Sequence, residues 1–146
     1  MGAVENRGEI LSWTVSEFYQ NEMGPGLWRR FLSFAPPAAP GELAAIKLRT
    51  QGIEDKYRSR LGDPPGRCVN IDPGYLDAFK VVLASTKNAS QRIYLHSGIY
   101  AEATLHYHDG GFRGLPYTYP DYLWPETLAF MTRLRAVYLE QLRERP

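Results

Sequence analysis

The chain holds a single cysteine, Cys68, among 146 residues. An intramolecular disulfide is therefore excluded, and the composition suits a reducing compartment. No histidine lies near Cys68 in sequence to lower its pKa, so it reads as a structural thiol in a short strand. Net charge is almost lacking as well: 17 basic residues against 16 acidic ones leave +1. That balance gives no long-range attraction to nucleic acid or to an acidic membrane, although a local basic patch stays open. No apolar run approaches the roughly 18 residues of a membrane span. Met1 to Glu9 lack the basic stretch and apolar core of a signal peptide. The expected location is the cytoplasm. No glycine-rich loop ends in Gly-Lys-Ser/Thr, which excludes a P-loop. Ser85-Thr86-Lys87 is no substitute, because it lacks the glycines that let backbone amides cradle phosphate. There is no Gly-x-Ser-x-Gly elbow, and no serine or cysteine has an identifiable base, so nucleophilic catalysis has little support.

Aromatic residues are plentiful: ten tyrosines, three tryptophans and six phenylalanines. Tyrosine joins an apolar ring to a polar tip and suits half-buried walls, so a groove or a contact face is expected. A tyrosine-rich sheet is the plainer alternative. Hydrophobic content of 44% and charged content of 23% are ordinary for a globular chain, and the length fits one domain over residues 1–146.

Patterning predicts strands at Ile10–Val15 and Leu27–Phe34, separated by a glycine-proline loop at Asn21–Gly26. Arg29 and Arg30 then fall on opposite faces. A helix follows, with Leu43, Ile46, Ile53, Tyr57 and Leu61 on one stripe, and it ends at Gly62–Gly66. Lys47, Arg49, Glu54, Lys56 and Arg58 read as a solvated outer face. Cys68–Ile71 reads as a strand. Asp72 is placed as the N-cap of a second helix, Tyr75–Thr86. Strands are expected at Gln91–Leu95, Ile99–Tyr107 and Phe112–Leu115, the last two joined by a hairpin turn at Asp109–Gly111. In Ile99–Tyr107 the alternation puts Glu102 and Thr104 on the face opposite Ala101 and Leu105. Pro116–Pro120 is extended, and Pro125 starts a last helix to about Arg143, with Leu128, Met131, Leu134 and Tyr138 inward. The implied fold class is α+β: a mostly antiparallel sheet with helices packed on one face.

Several segments in fixed order resemble a known family. They are Phe18-Tyr19 with Glu22–Leu27, Arg30–Phe34, Leu43–Glu54, Val69–Leu76, Leu83–Lys87, Arg92–Leu95, Gly98–Glu102 and Tyr117–Tyr122. Together they resemble the bacterial family designated domain of unknown function 4416. The resemblance implies a shared fold and a shared ligand site but no activity, although automated labels call some members GTP-binding. Such members usually begin with a further strand and helix. The present chain starts at the segment that follows, which implies a sheet one strand short or a strand supplied by a partner. Gln51 stands where the family tends to have asparagine. His96, His106 and His108 lie outside the family pattern.

Three functions fit these residues. The first is a binding module for a phosphorylated small molecule or nucleotide. Arg29, Arg30, Lys80, Lys87 and Arg92 would supply cations, and Tyr19, Tyr94, Tyr100, Tyr117 and Tyr119 would supply stacking walls. The plainer reading pairs these cations with Glu17, Glu22, Asp72 and Glu102. The second is a metal-dependent phosphohydrolase or nuclease, with Glu22, Asp72, Asp77, Glu102 and Asp121 as hard oxygen donors. Their spacing matches no metal motif, and His106 with His108 would need a third ligand for zinc. The third is a non-enzymatic interaction domain that docks through Pro116–Trp124. The first is preferred, and Tyr19, Glu22, Arg30, Asp72, Lys80, Arg92, Tyr100 and Glu102 are its candidate ligand residues. No cofactor is indicated, and a homo-oligomer stays open.

Overall fold

The computed structural model describes residues 2–17, 19–58 and 66–144. Leu61 and most of the expected helix end at Gly62–Gly66 lie outside the described residues, as does Phe18. In chain order come β1 (Ala3–Arg7), β2 (Leu11–Ser12), α1 (Gln20–Met23), β3 (Trp28–Arg29), β4 (Leu32–Ala35) and α2 (Leu43–Arg58). Then follow β5 (Gly74–Leu76), β6 (Lys80–Ser85), β7 (Ile93–His96), β8 (Ile99–His108), β9 (Gly111–Gly114) and α3 (Pro125–Arg143). The class is α+β, and every strand pairing is antiparallel.

The first four strands form a two-stranded ribbon in two steps, β1 on β4 and β2 on β3. The expected single strand Leu27–Phe34 is broken because Phe31 turns into the core. There it stacks on Phe130 and meets Tyr122 edge-on, with ring centroids 6.0 and 5.4 Å away. The Gly8 N–H bridges the break by donating to the Phe31 carbonyl at 2.9 Å. Of the expected strand Ile10–Val15, Leu11–Ser12 pairs with β3, and the Trp13 N–H donates to the Leu27 carbonyl at 2.8 Å.

The main sheet runs β5-β6-β8-β7, and β9 also pairs with β8. Its first hairpin replaces the expected helix Tyr75–Thr86. Two local features explain the difference. The Asp77 carboxylate accepts the N–H groups of Phe79 and Lys80, which folds the chain into a turn. Gly74 permits close pairing, since a Cβ there would lie 2.4 Å from the Val82 carbonyl oxygen. Val81 and Val82 are β-branched and pair with β8. With no helix at this point, Asp72 is not an N-cap. The β8–β9 turn has positive φ at Asp109 and Gly110, the conformation that a right-twisted hairpin prefers. A bulge opposite Val81 and Val82 interrupts the β8 alternation, and Thr104 and Leu105 are both buried there.

The α+β class holds, but the helices divide between the two sheet faces instead of sharing one. Successive strand residues point to opposite sides. Val82 and Ala84 of β6 pack with Leu43 and Ala44 of α2, along with Ile99. Val81 packs with Phe130 and Met131 of α3, along with Leu105, Phe112 and Tyr122. The inner stripe of α2 also corrects the sequence reading. Lys47, Thr50 and Glu54 are buried, whereas Tyr57 is exposed. The Lys47 ammonium donates to the Ile71 carbonyl at 2.8 Å, and the Glu54 carboxylate accepts the Ile71 N–H at 2.5 Å. Segment 66–73 therefore belongs to no strand, and α2 side chains take the place of a neighbouring strand at Ile71. Cys68 lies in it and is exposed.

Candidate functional site

The site lies where β6 ends and β8 begins. Register sets Ser85 opposite Tyr100 and Leu83 opposite Glu102. Glu102 is 3% exposed and so needs a partner. Arg92, just before β7, meets that need. Its Nε donates to Glu102 Oε2 at 2.7 Å, and Gln91 Nε2 reaches the same oxygen at 2.9 Å. One terminal nitrogen of Arg92 donates to Ser85 Oγ at 2.8 Å and to the Lys87 carbonyl at 2.9 Å. Burial alone would lower the Arg92 pKa. The Glu102 carboxylate and the Tyr119 hydroxyl outweigh it and raise the value.

A second pair lies beside the first. Asp121, fully buried in the 3₁₀ turn Pro120–Leu123, is in ionic contact with the Arg29 guanidinium. That guanidinium lies 4.5 Å from the Phe31 ring centroid and 4.6 Å from that of Tyr122. Cation–π attraction is strongest when desolvated, so this aromatic sleeve holds the charge in place. Burial pushes the Tyr122 hydroxyl up to about 12, against an opposing effect of Arg29.

Segment 67–73 supplies the facing wall. Arg67 forms a bidentate pair with Glu22 at 2.7 and 2.8 Å. It also donates to Asn70, which in turn donates to Asp72. The Lys47 ammonium is 3.6 Å from the Asp72 carboxylate. The Arg67 guanidinium lies 5.9 Å from the Tyr19 ring centroid. Burial first, then Asp72, raises the Tyr19 pKa, while Arg67 opposes them. The Arg67 bond holds the Glu22 carboxyl below its usual range.

Between these walls runs a cleft of about 2100 Å³, whose polar end is formed by Tyr19, Arg29, Asp72, Arg92, Glu102 and Tyr119. Four of the eight candidates from the sequence thus meet here: Tyr19, Asp72, Arg92 and Glu102. Arg30 also borders the cleft, but its Nε is bonded to the Gly8 carbonyl at 2.9 Å. Of the two neighbouring arginines, Arg29 is the one at the polar end. Glu22 is exposed and turned to Arg67. Lys80 sits at the far end of β6, about 16 Å along the strand from Ser85. There it pairs with Asp77 at 2.5 Å. Burial would raise the Asp77 pKa, but the Lys80 side chain and two backbone N–H groups outweigh it and lower the value. Tyr100 packs edge-on against Tyr94 at 5.4 Å. In sequence Asp121 reads as a metal donor and Lys47 as part of a solvated face, and nothing local marks Arg67. Strand alternation separates Arg29 from Arg30, but nothing local marks Asp121 as buried.

A family model described as domain of unknown function (DUF4416) matches residues 1–138. The chain belongs to that family. Searches of curated proteins and of solved structures give no match. In this DUF4416 member each candidate carboxylate has turned to a different cation: Glu22 to Arg67, Asp72 to Lys47 and Glu102 to Arg92. Among the described residues, no group of three or more histidine, cysteine, aspartate or glutamate side chains could hold a metal ion. His106 and His108 stack at 6.1 Å, and His108 pairs with Asp109 at 2.9 Å. Inner residues of the aromatic segment, Asp121 and Tyr122, are buried in the chain's own core, whereas Tyr119 is 51% exposed beside the cleft. No described helix is long and apolar enough to cross a membrane. Chemically, the site offers fixed guanidinium groups and phenol rings, which are binding groups.

Proposed function

We propose that the polar end of the cleft binds a phosphorylated small molecule or nucleotide, with the phosphate at Arg92 and a planar ring against Tyr119. The fixed fork of Arg92 carries this reading. Glu102, Ser85 and the Lys87 carbonyl hold its Nε and one terminal nitrogen. The Tyr119 hydroxyl is also hydrogen-bonded to this guanidinium, so a bound phosphate oxygen would share or take over that contact. Arginine carries five donors in a rigid plane, so a guanidinium oriented in advance loses little entropy when it takes an anion. Tyr119 is half exposed beside it and bears on the Arg92 charge, as a stacking wall for a bound ring would. The single cysteine favours a reducing compartment, and we place the protein in the cytoplasm on that ground.

The test is calorimetric titration and thermal shift against nucleoside phosphates and sugar phosphates. At least one compound should raise Tm. Tyr119→Ala and Arg92→Lys should each weaken it about tenfold, the loss expected when roughly 1.4 kcal/mol of contact is removed. Failure of every phosphorylated compound to bind the folded chain removes the proposal.

A further inference from the structure

Asp72, Glu102 and Asp121 border the polar end of the cleft, and they are not alike. Asp121 is fully buried against Arg29, and Glu102 is buried against Arg92. The Asp72 side chain is 43% exposed, so it is the open carboxylate of this group. Its Oδ2 accepts the Asn70 side-chain N–H at 2.8 Å. Its Oδ1 lies 3.6 Å from the Lys47 ammonium, too far for a hydrogen bond. An ionised carboxylate has about four acceptor sites and no donor, so acceptor capacity is left over where Asp72 lines the cleft. Backbone pairing fixes where this residue stands. Gly74 pairs with Leu83, and one step on, the Ala84 N–H donates to the Pro73 carbonyl at 3.0 Å. One further step sets Asp72 level with Ser85, whose hydroxyl accepts from Arg92. Neighbouring strands lie about 4.8 Å apart, so the open carboxylate stands about one strand spacing from a group that holds Arg92. Electrostatics agree. After burial, Asp72 and Glu102 both raise the Tyr122 pKa, and Asp72 and Tyr119 both raise that of Tyr19.

We propose that Asp72 is a specificity residue that accepts hydrogen bonds from the ring hydroxyls of a sugar, so that the ligand is a ribonucleotide or sugar phosphate and not any phosphate ester. This rests on the reading of Arg92 as the phosphate site. Repulsion gives the first reason. A phosphate at Arg92 brings negative charge close to Asp72, and like charges a few ångströms apart oppose each other. The part of the ligand that meets Asp72 is therefore not a second phosphate oxygen but a hydrogen-bond donor. The short separation gives the second reason. Nucleotides and sugar phosphates carry hydroxyl donors within a few atoms of the phosphate, and a carboxylate is the group that nucleotide-binding sheets set against ribose hydroxyls. The third reason is rigidity. Lys47 is itself fixed by its bond to the Ile71 carbonyl, and with Asn70 it holds the carboxylate in one orientation. A group oriented in advance loses little freedom on binding.

The test is calorimetric titration of the whole chain with ribonucleoside monophosphates and ribose phosphate, each against its counterpart that lacks the ring hydroxyls. The hydroxyl-bearing form should bind about tenfold more tightly, as the loss of hydrogen bonds to a charged acceptor requires. In Asp72→Asn that ratio should fall to about one, while the hydroxyl-free forms should bind no more weakly than before. Asp72→Ser, smaller and also neutral, serves the same purpose should the asparagine variant fail to fold. Equal binding of the two forms by the unmodified chain overturns the role of Asp72 and leaves the phosphate at Arg92 standing. A ratio that survives in the variant also overturns it, because another group then reads the hydroxyls. Failure of both forms to bind overturns it together with the reading of Arg92.

Discussion

The two helices bury their inner faces by opposite means. Helix α3 presents Phe130 and Met131, with Leu128 and Leu134 beside them, to an apolar cluster that includes Leu105, Phe112 and Tyr122. Helix α2 presents Leu43 and Ala44 for one turn, then Lys47, Thr50 and Glu54. Apolar contact is non-directional and scales with area. Hydrogen bonds from Lys47 and Glu54 are directional, and they fix one residue, Ile71, at one place. The α3 side therefore carries global stability. The α2 side positions segment 66–73, and with it Asp72 at the cleft.

The largest expected effect falls on the α3 side. Phe130→Ala should cost about 3–5 kcal/mol, as aromatic-to-alanine changes in a core do, and should lower urea resistance of the whole chain. A milder loss than that of any α2 variant would invert the comparison. Next comes the buried phenol. The folded pKa of Tyr122 is about 12, against the ordinary 10.0. A group whose folded pKa is raised stabilises fully below its unfolded value, and that contribution is lost as pH climbs through the folded one. Between pH 10 and 12 the chain should lose up to about 3 kcal/mol. Tyrosinate absorbance should show one late-titrating phenol that Tyr122→Phe removes. The smallest effect belongs to α2. Glu54→Ala leaves the Ile71 N–H without its acceptor, at a cost of about 1–3 kcal/mol. Amide exchange should quicken at Ile71 far more than at Leu105. Uniform quickening would make α2 part of the global core.

Much of this architecture was legible in the sequence because the physics was local. The Asp109-Gly110 turn, the α3 stripe and the antiparallel character of the sheet follow from short-range pattern. The hairpin at Gly74–Ser85 was not legible. Its residues also fit a helical stripe, and pairing with β8, distant in sequence, decided the outcome. The inner face of α2 escaped for a related reason. Lysine and glutamate normally lie outside, and only the unpaired backbone of Ile71 draws them in. Within the site, Glu102 stood out as a charge between alanines, and the structure gives it Arg92. Arg29 could be told from Arg30 only by a direction that depends on strand phase.

The mooring of segment 66–73 at both ends has a consequence for a cut chain. Arg67 is tied to Glu22 at one end, and Ile71 to Lys47 and Glu54 at the other. A protease that severed the bond between Val69 and Asn70 would leave each new terminus anchored to a different part of the molecule. Such a nicked protein should travel as one particle under native conditions and separate into two pieces only in denaturant.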